Sequence, residues 1–215
     1  MRLLYTASDG KLKWTKDLFG DDIIPRYAIL SHTWQDGQEV IFDDLKNLDD
    51  FKVLDAKRKA GYDKIMFCAQ QAQRDGLCYF WVDTCCIDKS NNSELSEAII
   101  SMFRWYKNAE KCYVYLSDVS VAASDENSET YRRRKPVIRN SRWFTRGWTL
   151  QELIAPSSVE FFSKEGERLG DKQSLMPTLH EITGIAIQAL EGSPMASFGV
   201  DERMSWAAGR KTKRE

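Results

Sequence analysis

Glu152 is the residue whose surroundings point most directly to catalysis. Its neighbours Trp148, Leu150, Leu153 and Ile154 are apolar, and a carboxylate that they withdraw from water would have a raised pKa and be suited to acid–base work. The same glutamate could equally lie on the exposed side of a short amphipathic helix. The sequence leaves both interpretations open.

Polar and aromatic residues beside predicted strands form a second group of candidates. His32 directly follows an apolar segment and is flanked by Ser31 and Trp34, so its imidazole could contact a substrate or could tie down a loop by a hydrogen bond. Trp34 and Trp148 could stack on a base or a nicotinamide ring. With seven Trp in the chain, however, most must pack in the core.

The cysteines offer two further possibilities, a nucleophile and a metal site. Cys85 or Cys86 could pair with His32 if two strand ends meet, but burial as small apolar side chains explains these thiols better. Adjacent cysteines and only two His in the chain argue against zinc, and we expect no metal. The chain also lacks GxGxxG and GxxxxGK[ST], which excludes ordinary dinucleotide and P-loop sites.

An alternation of strands and helices must position these residues. Apolar runs predict strands at residues 27–30, 78–82, 112–116 and 159–162. Helical periodicity predicts helices at residues 56–74, after Asn91, within 141–156, at 173–190 and from about 203. In the helix after Asn91 we expect one apolar stripe to pack on the sheet, formed by Leu95, Ile99, Met102, Phe103 and Tyr106.

This order predicts an α/β fold with a doubly wound, mainly parallel sheet and helices on both faces. Such sheets bind ligands beyond the carboxyl ends of their strands. The candidates placed there by position are Ser31, His32, Trp34, Asp83, Thr84, Cys85, Cys86, Ser117 and Asp118.

Composition limits the remaining classes of function. Lys and Arg number 31 and Asp and Glu 32, so no overall field attracts nucleic acid or anionic lipid. No apolar run reaches the roughly 20 residues of a membrane helix, and the opening residues 1–14 lack the apolar stretch typical of a signal peptide. Five cysteines without framework spacing predict a reducing, cytoplasmic setting with buried thiols. Residues 120–140 are polar and predict an exposed inserted loop.

Several sequence blocks together resemble the heterokaryon incompatibility (HET) domain of filamentous fungi. The blocks occur in the family's order over residues 25–210 and read YAILSHTW at 27–34, WVDTCCID at 81–88, SELSEAI at 93–99, MFRWY at 102–106, SRWFTRGWTLQELIAP at 141–156 and RMSWA at 203–207. The resemblance implies one domain over residues 1–215, shortened at its C-terminal end. It also implies a role in cell death when genetically unlike hyphae fuse.

HET domains are in turn similar to Toll/interleukin receptor (TIR) domains, which have a flavodoxin-like fold. That remoter resemblance implies a glycohydrolase that cleaves the nicotinamide–ribose bond of NAD when copies associate, with NAD as substrate and no cofactor. It makes Glu152 the catalytic residue, with Ser141 and Trp143 as the entry to its segment. Ser31, His32, Trp34, Asp83, Asp118 and Trp148 would contact the substrate.

Two alternatives stay open. The domain could be a non-enzymatic module that associates with itself and recruits death partners, for which the aromatic content and the charged 120–140 loop provide surfaces. The same cleft could also hydrolyse another nucleoside-like substrate.

Overall fold

The computed structural model describes residues 1–19, 22–46, 55–121 and 138–212, and the chain divides into two compact units. The first unit comprises Met1–Leu30 and Trp34–Lys111. The second comprises Ser31–Thr33 and Cys112–Glu215.

The first unit contains four strands in the order β2-β1-β4-β3. They are β1 (Leu4–Thr6), β2 (Leu12–Trp14), β3 (Tyr27–His32) and β4 (Tyr79–Trp81). β3 and β4 are parallel, with Tyr27 opposite Tyr79, whereas β1 is antiparallel to both of its neighbours. Every residue of β3 is buried, as expected of a strand covered on both faces. Its last two residues belong to the second unit.

Among the described residues, the helices of the first unit are α1 (Phe42–Leu45), α2 (Ala60–Arg74) and α3 (Asn92–Asn108). Asn91 caps α3 as predicted, because its side chain accepts hydrogen bonds from the backbone of Ser93 and Glu94.

The predicted buried stripe of α3 is wrong in part. Met102 and Tyr106 are buried, but Ile99 and Phe103 are exposed, and Ala98 and Trp105 are buried in their place. Apolar residues occur around most of this helix, so the periodicity could not determine which face turns inward.

The second unit contains three strands in the order β5-β6-β7, namely β5 (Lys111–Tyr115), β6 (Val159–Phe162) and β7 (Arg168–Asp171). β5 and β6 are parallel, and β7 is antiparallel to β6. In the described part of this unit, α-helices and short 3₁₀ helices accompany them. The α-helices are α4 (Thr149–Ile154), α5 (Met176–Thr183), α6 (Ile187–Leu190) and α7 (Val200–Ala207), and the 3₁₀ helices are Arg142–Thr145 and Met195–Ser197.

The α/β class and all four predicted strands are confirmed. Ser31 and His32 end β3 rather than follow it, and the antiparallel β1, β2 and β7 make the strand pairing mixed. The predicted helix at 173–190 is two helices, separated at Gly184, which takes the left-handed conformation with φ 68°. The doubly wound, TIR-like arrangement stays a prediction. Of the predicted loop 120–140, residues 122–137 lie outside the described residues.

Among the described residues, no helix combines the length and the apolar character needed to cross a membrane.

Candidate functional site

The second unit holds Glu152 in its interior. Glu152 lies in α4 and is 6% exposed, so the interpretation that placed it on an exposed helix face is wrong. The Ser31 hydroxyl donates a hydrogen bond to Glu152 Oε2. Trp143 Nε1 donates to the same hydroxyl at 2.8 Å. Because a serine hydroxyl has one hydrogen, the Trp143 contact directs that hydrogen toward the carboxylate.

Asp118 positions Trp143. Its Oδ1 accepts from Ser141 Oγ at 2.7 Å, and its Oδ2 accepts from the backbone N–H of Arg142 at 2.7 Å. These bonds satisfy the start of the 3₁₀ helix Arg142–Thr145, where backbone N–H groups lack partners within the helix. The side chain of Asp118, predicted to contact substrate, thus holds the segment that carries Trp143.

Arg210, near the end of the described chain, contacts the start of α4. Arg210 Nη1 donates to Thr149 Oγ1 at 3.0 Å and to the carbonyl of Arg146 at 3.1 Å, and its Nε donates to the carbonyl of Trp206 at 3.1 Å. Thr149 Oγ1 in turn donates to the carbonyl of Trp143 at 2.7 Å. The start of α4 is therefore bonded both to the Trp143 segment and to Arg210.

Arg210 is also an electrostatic partner of Glu152. Burial lowers the pKa of Arg210 to about 10, and the Glu152 carboxylate acts in the opposite direction. The guanidinium therefore keeps its positive charge at neutral pH. A buried carboxylate costs free energy unless it is hydrogen-bonded or stabilised by an opposite charge. Ser31 supplies a hydrogen bond, and the charge of Arg210 acts on Glu152 through its electrostatic field.

Close backbone packing fixes the segment around Arg210. Gly147 N–H donates to the carbonyl of Lys211 at 2.9 Å, and a Cβ at position 147 would lie 2.3 Å from Thr212 Cγ2. A larger residue at position 147 would therefore require the Thr212 side chain to move.

Two other predicted residues of the second unit have less defined surroundings. His32 is buried at the end of β3. Trp148 precedes α4 at the N-cap position and is partly exposed.

Trp34 and Asp83 belong to the first unit, where they form a pair of their own. Trp34 Nε1 donates to Asp83 Oδ2 at 3.0 Å, and Lys89 Nζ lies 3.5 Å from the centre of the Trp34 ring. The first contact fixes the indole plane, and the second is a cation–π contact on one of its faces.

The cysteines behave as packing residues. Cys85 and Cys86 are buried, and burial raises the pKa of Cys85 well above its ordinary value, which keeps the thiol protonated and weakly nucleophilic. Cys68 and Cys112 are buried as expected, but Cys78 is exposed, which corrects the expectation that all five are buried. Within the described ranges, no group of three or more His, Cys, Asp and Glu is arranged to hold a metal ion.

Sequence reasoning identified Ser31 and Glu152 as candidates. It predicted neither the hydrogen bond from Trp143 to Ser31 nor the contact of Arg210 with Thr149. Trp143 stood in the quoted 141–156 block, whose Ser-x-Trp pattern was the available signal. Arg210 had none in a single sequence, since it is one of 31 basic residues.

Comparison with known proteins gives one family and one curated relative. The family profile described as "Heterokaryon incompatibility protein (HET)" matches residues 27–137. The chain is 55% identical over 216 residues to "Vegetative incompatibility protein HET-E-1" of Podospora anserina, a match that covers all of this chain and 15% of that protein. The chain therefore spans about 15% of the length of this relative. No solved structure matches the chain.

Proposed function

Because the chain belongs to the heterokaryon incompatibility (HET) family, we propose that it is a cell-death effector domain that hydrolyses the nicotinamide–ribose bond of NAD when copies associate. The buried Glu152 carboxylate, oriented by Ser31, is the observation that carries the enzymatic part. The role in incompatibility rests on the family and on the name of the Podospora relative.

The reaction requires stabilisation of a positive charge on ribose. The C–N bond breaks with its electron pair moving to the ring nitrogen, so nicotinamide leaves as a neutral molecule and positive charge develops on the ribose. A water molecule then bonds to the same carbon and releases a proton, giving ADP-ribose. A fixed carboxylate in a site with little water stabilises the charge as it forms, and such electrostatic effects contribute several kcal/mol, on the order of 3.

The surroundings of Glu152 suit this role. Ser31 fixes one carboxylate oxygen, and the positively charged Arg210 favours the ionised form of the acid. An ionised, oriented carboxylate is the form that an oxocarbenium-like transition state needs. In this proposal Ser31 and Asp118 are positioning residues rather than substrate contacts.

Trp148 and His32 are the proposed substrate contacts of the second unit, the indole by stacking and the imidazole by a polar contact. In the first unit, Asp83 fixes the plane of the Trp34 indole, and a substrate contact of these two residues stays a prediction from the sequence. The substrate is NAD or a related nucleotide, and no cofactor is required for hydrolysis of this bond.

The test identifies the products. The chain, immobilised at high density so that copies meet, is incubated with NAD, and nicotinamide and ADP-ribose are quantified by chromatography. We expect the two products in equal amounts with the wild type and loss of both with Glu152→Gln. The control Glu191→Gln changes an exposed carboxylate of the same unit and should behave as wild type. Absence of nicotinamide at every density tested would overturn the proposal.

A non-enzymatic module that associates with itself is the second candidate. The observation that favours it is the exposure of Ile100, which is 82% accessible on α3, since a large exposed apolar side chain is suited to contact with a protein. Cell death in fungal cells that carry Glu152→Gln and keep normal NAD levels would support this candidate over the enzyme.

A further inference from the structure

α3 presents an apolar strip on its outer face. Ile100 is 82% exposed, Ile99 45% and Phe103 41%. These three residues, which we name the α3 strip, lie on the side of the helix opposite Ala98, Met102 and Trp105, which are buried. Exposed apolar residues occur singly on most proteins, but three on adjacent turns of one helix form a surface that a partner can cover.

Two residues of opposite charge lie beside the α3 strip, both on the same side of Ile100. Glu97 and Arg104 are both exposed, and within the described chain neither forms an ion pair with another residue. At about 100° per residue, both lie within about 60° of Ile100 on one flank, while Ile99 and Phe103 lie on the other. Both charges are therefore available to a partner that covers the strip.

The spacing of these charges is symmetric. Positions 97 and 104 lie at equal distances on either side of the point between residues 100 and 101, about 5 Å along the axis at 1.5 Å per residue. If two copies of α3 pack antiparallel about a two-fold axis through that point, Glu97 of one copy meets Arg104 of the other. The symmetry then repeats the same contact a second time.

We propose that the α3 strip is a surface through which two copies of this chain associate, with the two α3 helices antiparallel. Ile100 lies at the centre of the contact. The apolar pair Ile99 and Phe103 of one copy packs against the same pair of the other copy. Two Glu97–Arg104 ion pairs lie along one edge of the contact. The partner is a second copy because the pattern is complementary to itself, which a surface for an unrelated protein has no reason to be.

This inference deepens the self-association named in the proposed function, but it does not depend on catalysis by Glu152. Its readout is the mass of the particle in solution. The two proposals can therefore fail separately: a chain that forms the dimer without releasing nicotinamide contradicts only the enzyme. A chain that releases nicotinamide on a dense surface but never dimerises through α3 contradicts only this inference.

The first experiment measures association by sedimentation over a range of concentrations. We expect the wild-type chain to shift from 24.8 kDa toward twice that mass. Ile100→Glu places two like charges at the centre of the contact and should raise the dissociation constant at least about tenfold. The matched control is Ile23→Glu, since Ile23 is 92% exposed and lies outside the helix. A monomer at every concentration, or equal association of wild type and Ile100→Glu, would overturn the inference.

The second experiment exchanges the charges. Glu97→Arg alone and Arg104→Glu alone each place like charges opposite one another in a symmetric dimer, and each should associate at least about tenfold more weakly than wild type. In an equimolar mixture of the two variants, every contact of the mixed dimer joins opposite charges. We therefore expect the mixture to associate more tightly than either variant alone. A mixture no tighter than its components would contradict the antiparallel arrangement.

Discussion

The Ser31 hydroxyl at the end of β3 donates a hydrogen bond to the Glu152 carboxylate, which lies 121 positions later in the chain. Both groups are buried, and the same hydroxyl accepts the Trp143 indole N–H at 2.8 Å. A serine in the interior with both its donor and its acceptor used in this way has one orientation. The carboxylate it contacts is therefore held in place before any substrate arrives, which is what electrostatic catalysis requires.

Ser31→Ala should reduce both stability and turnover. The substitution leaves the Trp143 N–H and one carboxylate oxygen without this partner in the interior, and we expect the free energy of unfolding to fall by about 2 kcal/mol. The nicotinamide release rate should fall at least about tenfold, because the carboxylate loses its fixed orientation. Urea unfolding and the chromatographic assay measure the two effects.

Ser157→Ala is the control for this prediction, since Ser157 is an exposed serine of the same unit. A Ser31→Ala protein with wild-type stability would contradict the hydrogen-bonded relay from Trp143 to Glu152.

Arg210→Met should be strongly destabilising, and the effect should depend on Glu152. The change removes the cation near a buried carboxylate together with three hydrogen bonds, and we expect a loss of about 3 kcal/mol in the free energy of unfolding. Adding Glu152→Gln should recover part of this loss, because it removes the uncompensated charge. The measurement is a double-mutant cycle in urea.

The exposed Arg203, changed to Met, is the control for the loss of a guanidinium as such. Strictly additive effects of Arg210→Met and Glu152→Gln would mean that the two charges do not interact.

Sequence patterns predicted the strands that carry long apolar runs, and the reason is physical. The four predicted apolar runs correspond to β3, β4, β5 and β6. In each of these strands, all residues or all but one are buried. β1, β2 and β7 are strands of three or four residues that include charged or polar side chains and lack a continuous apolar run, and they were not predicted. The predicted orientation of α3 was wrong for Ile99 and Phe103, because a helix with apolar residues around most of its circumference has no unique buried face.

The site was predicted only as far as local sequence allows. Ser31 and Glu152 stood next to apolar segments, and each was a candidate for that reason. Their contact joins β3 to α4, and no spacing in the sequence encodes it. The electrostatic interaction of Arg210 with Glu152 depends on the return of residues 210–212 to Gly147, a long-range contact that a single sequence does not reveal.

One thiol of the five should react quickly with a soluble reagent. Cys78 is exposed and the other four cysteines are buried, and burial raises the pKa of Cys68 and of Cys85 well above the ordinary value. We expect one fast equivalent with a disulfide reagent at pH 8 in the native chain and five after denaturation. Cys78→Ser should abolish the fast phase. A fast phase that persists in Cys78→Ser would contradict this prediction and would indicate a reactive thiol at another cysteine, such as Cys85 or Cys86.

Glu165 should make stability depend on pH in the acid range. Partial burial acts to raise the pKa of Glu165, but hydrogen bonds from Ser120, Ser163 and the backbone of Val121 outweigh it and lower the pKa to about 2. A carboxyl group with a lowered folded-state pKa stabilises the fold above its ordinary pKa of 4.5. This contribution is lost as the pH falls from there toward 2.

Glu165→Gln should therefore lower the free energy of unfolding at pH 7 by about 1 kcal/mol, a value reduced for solvent screening because the side chain is 34% exposed. The difference from wild type should shrink as the pH falls from 4.5 to 3. Urea titrations at several pH values measure it, with Glu191→Gln as the reference. A difference that stays constant over this range would show that the charge of Glu165 contributes nothing.

The turnover number of Glu152→Gln tests the central claim most directly. Glutamine keeps the shape of the side chain and an oxygen that can accept from Ser31, so the substitution removes the charge and little else. With the chain at high density and NAD at saturation, the account predicts a kcat at least about 100-fold below wild type, the size of effect seen when one electrostatic group of an active site is removed. A Glu152→Gln protein that releases nicotinamide at the wild-type kcat would contradict it.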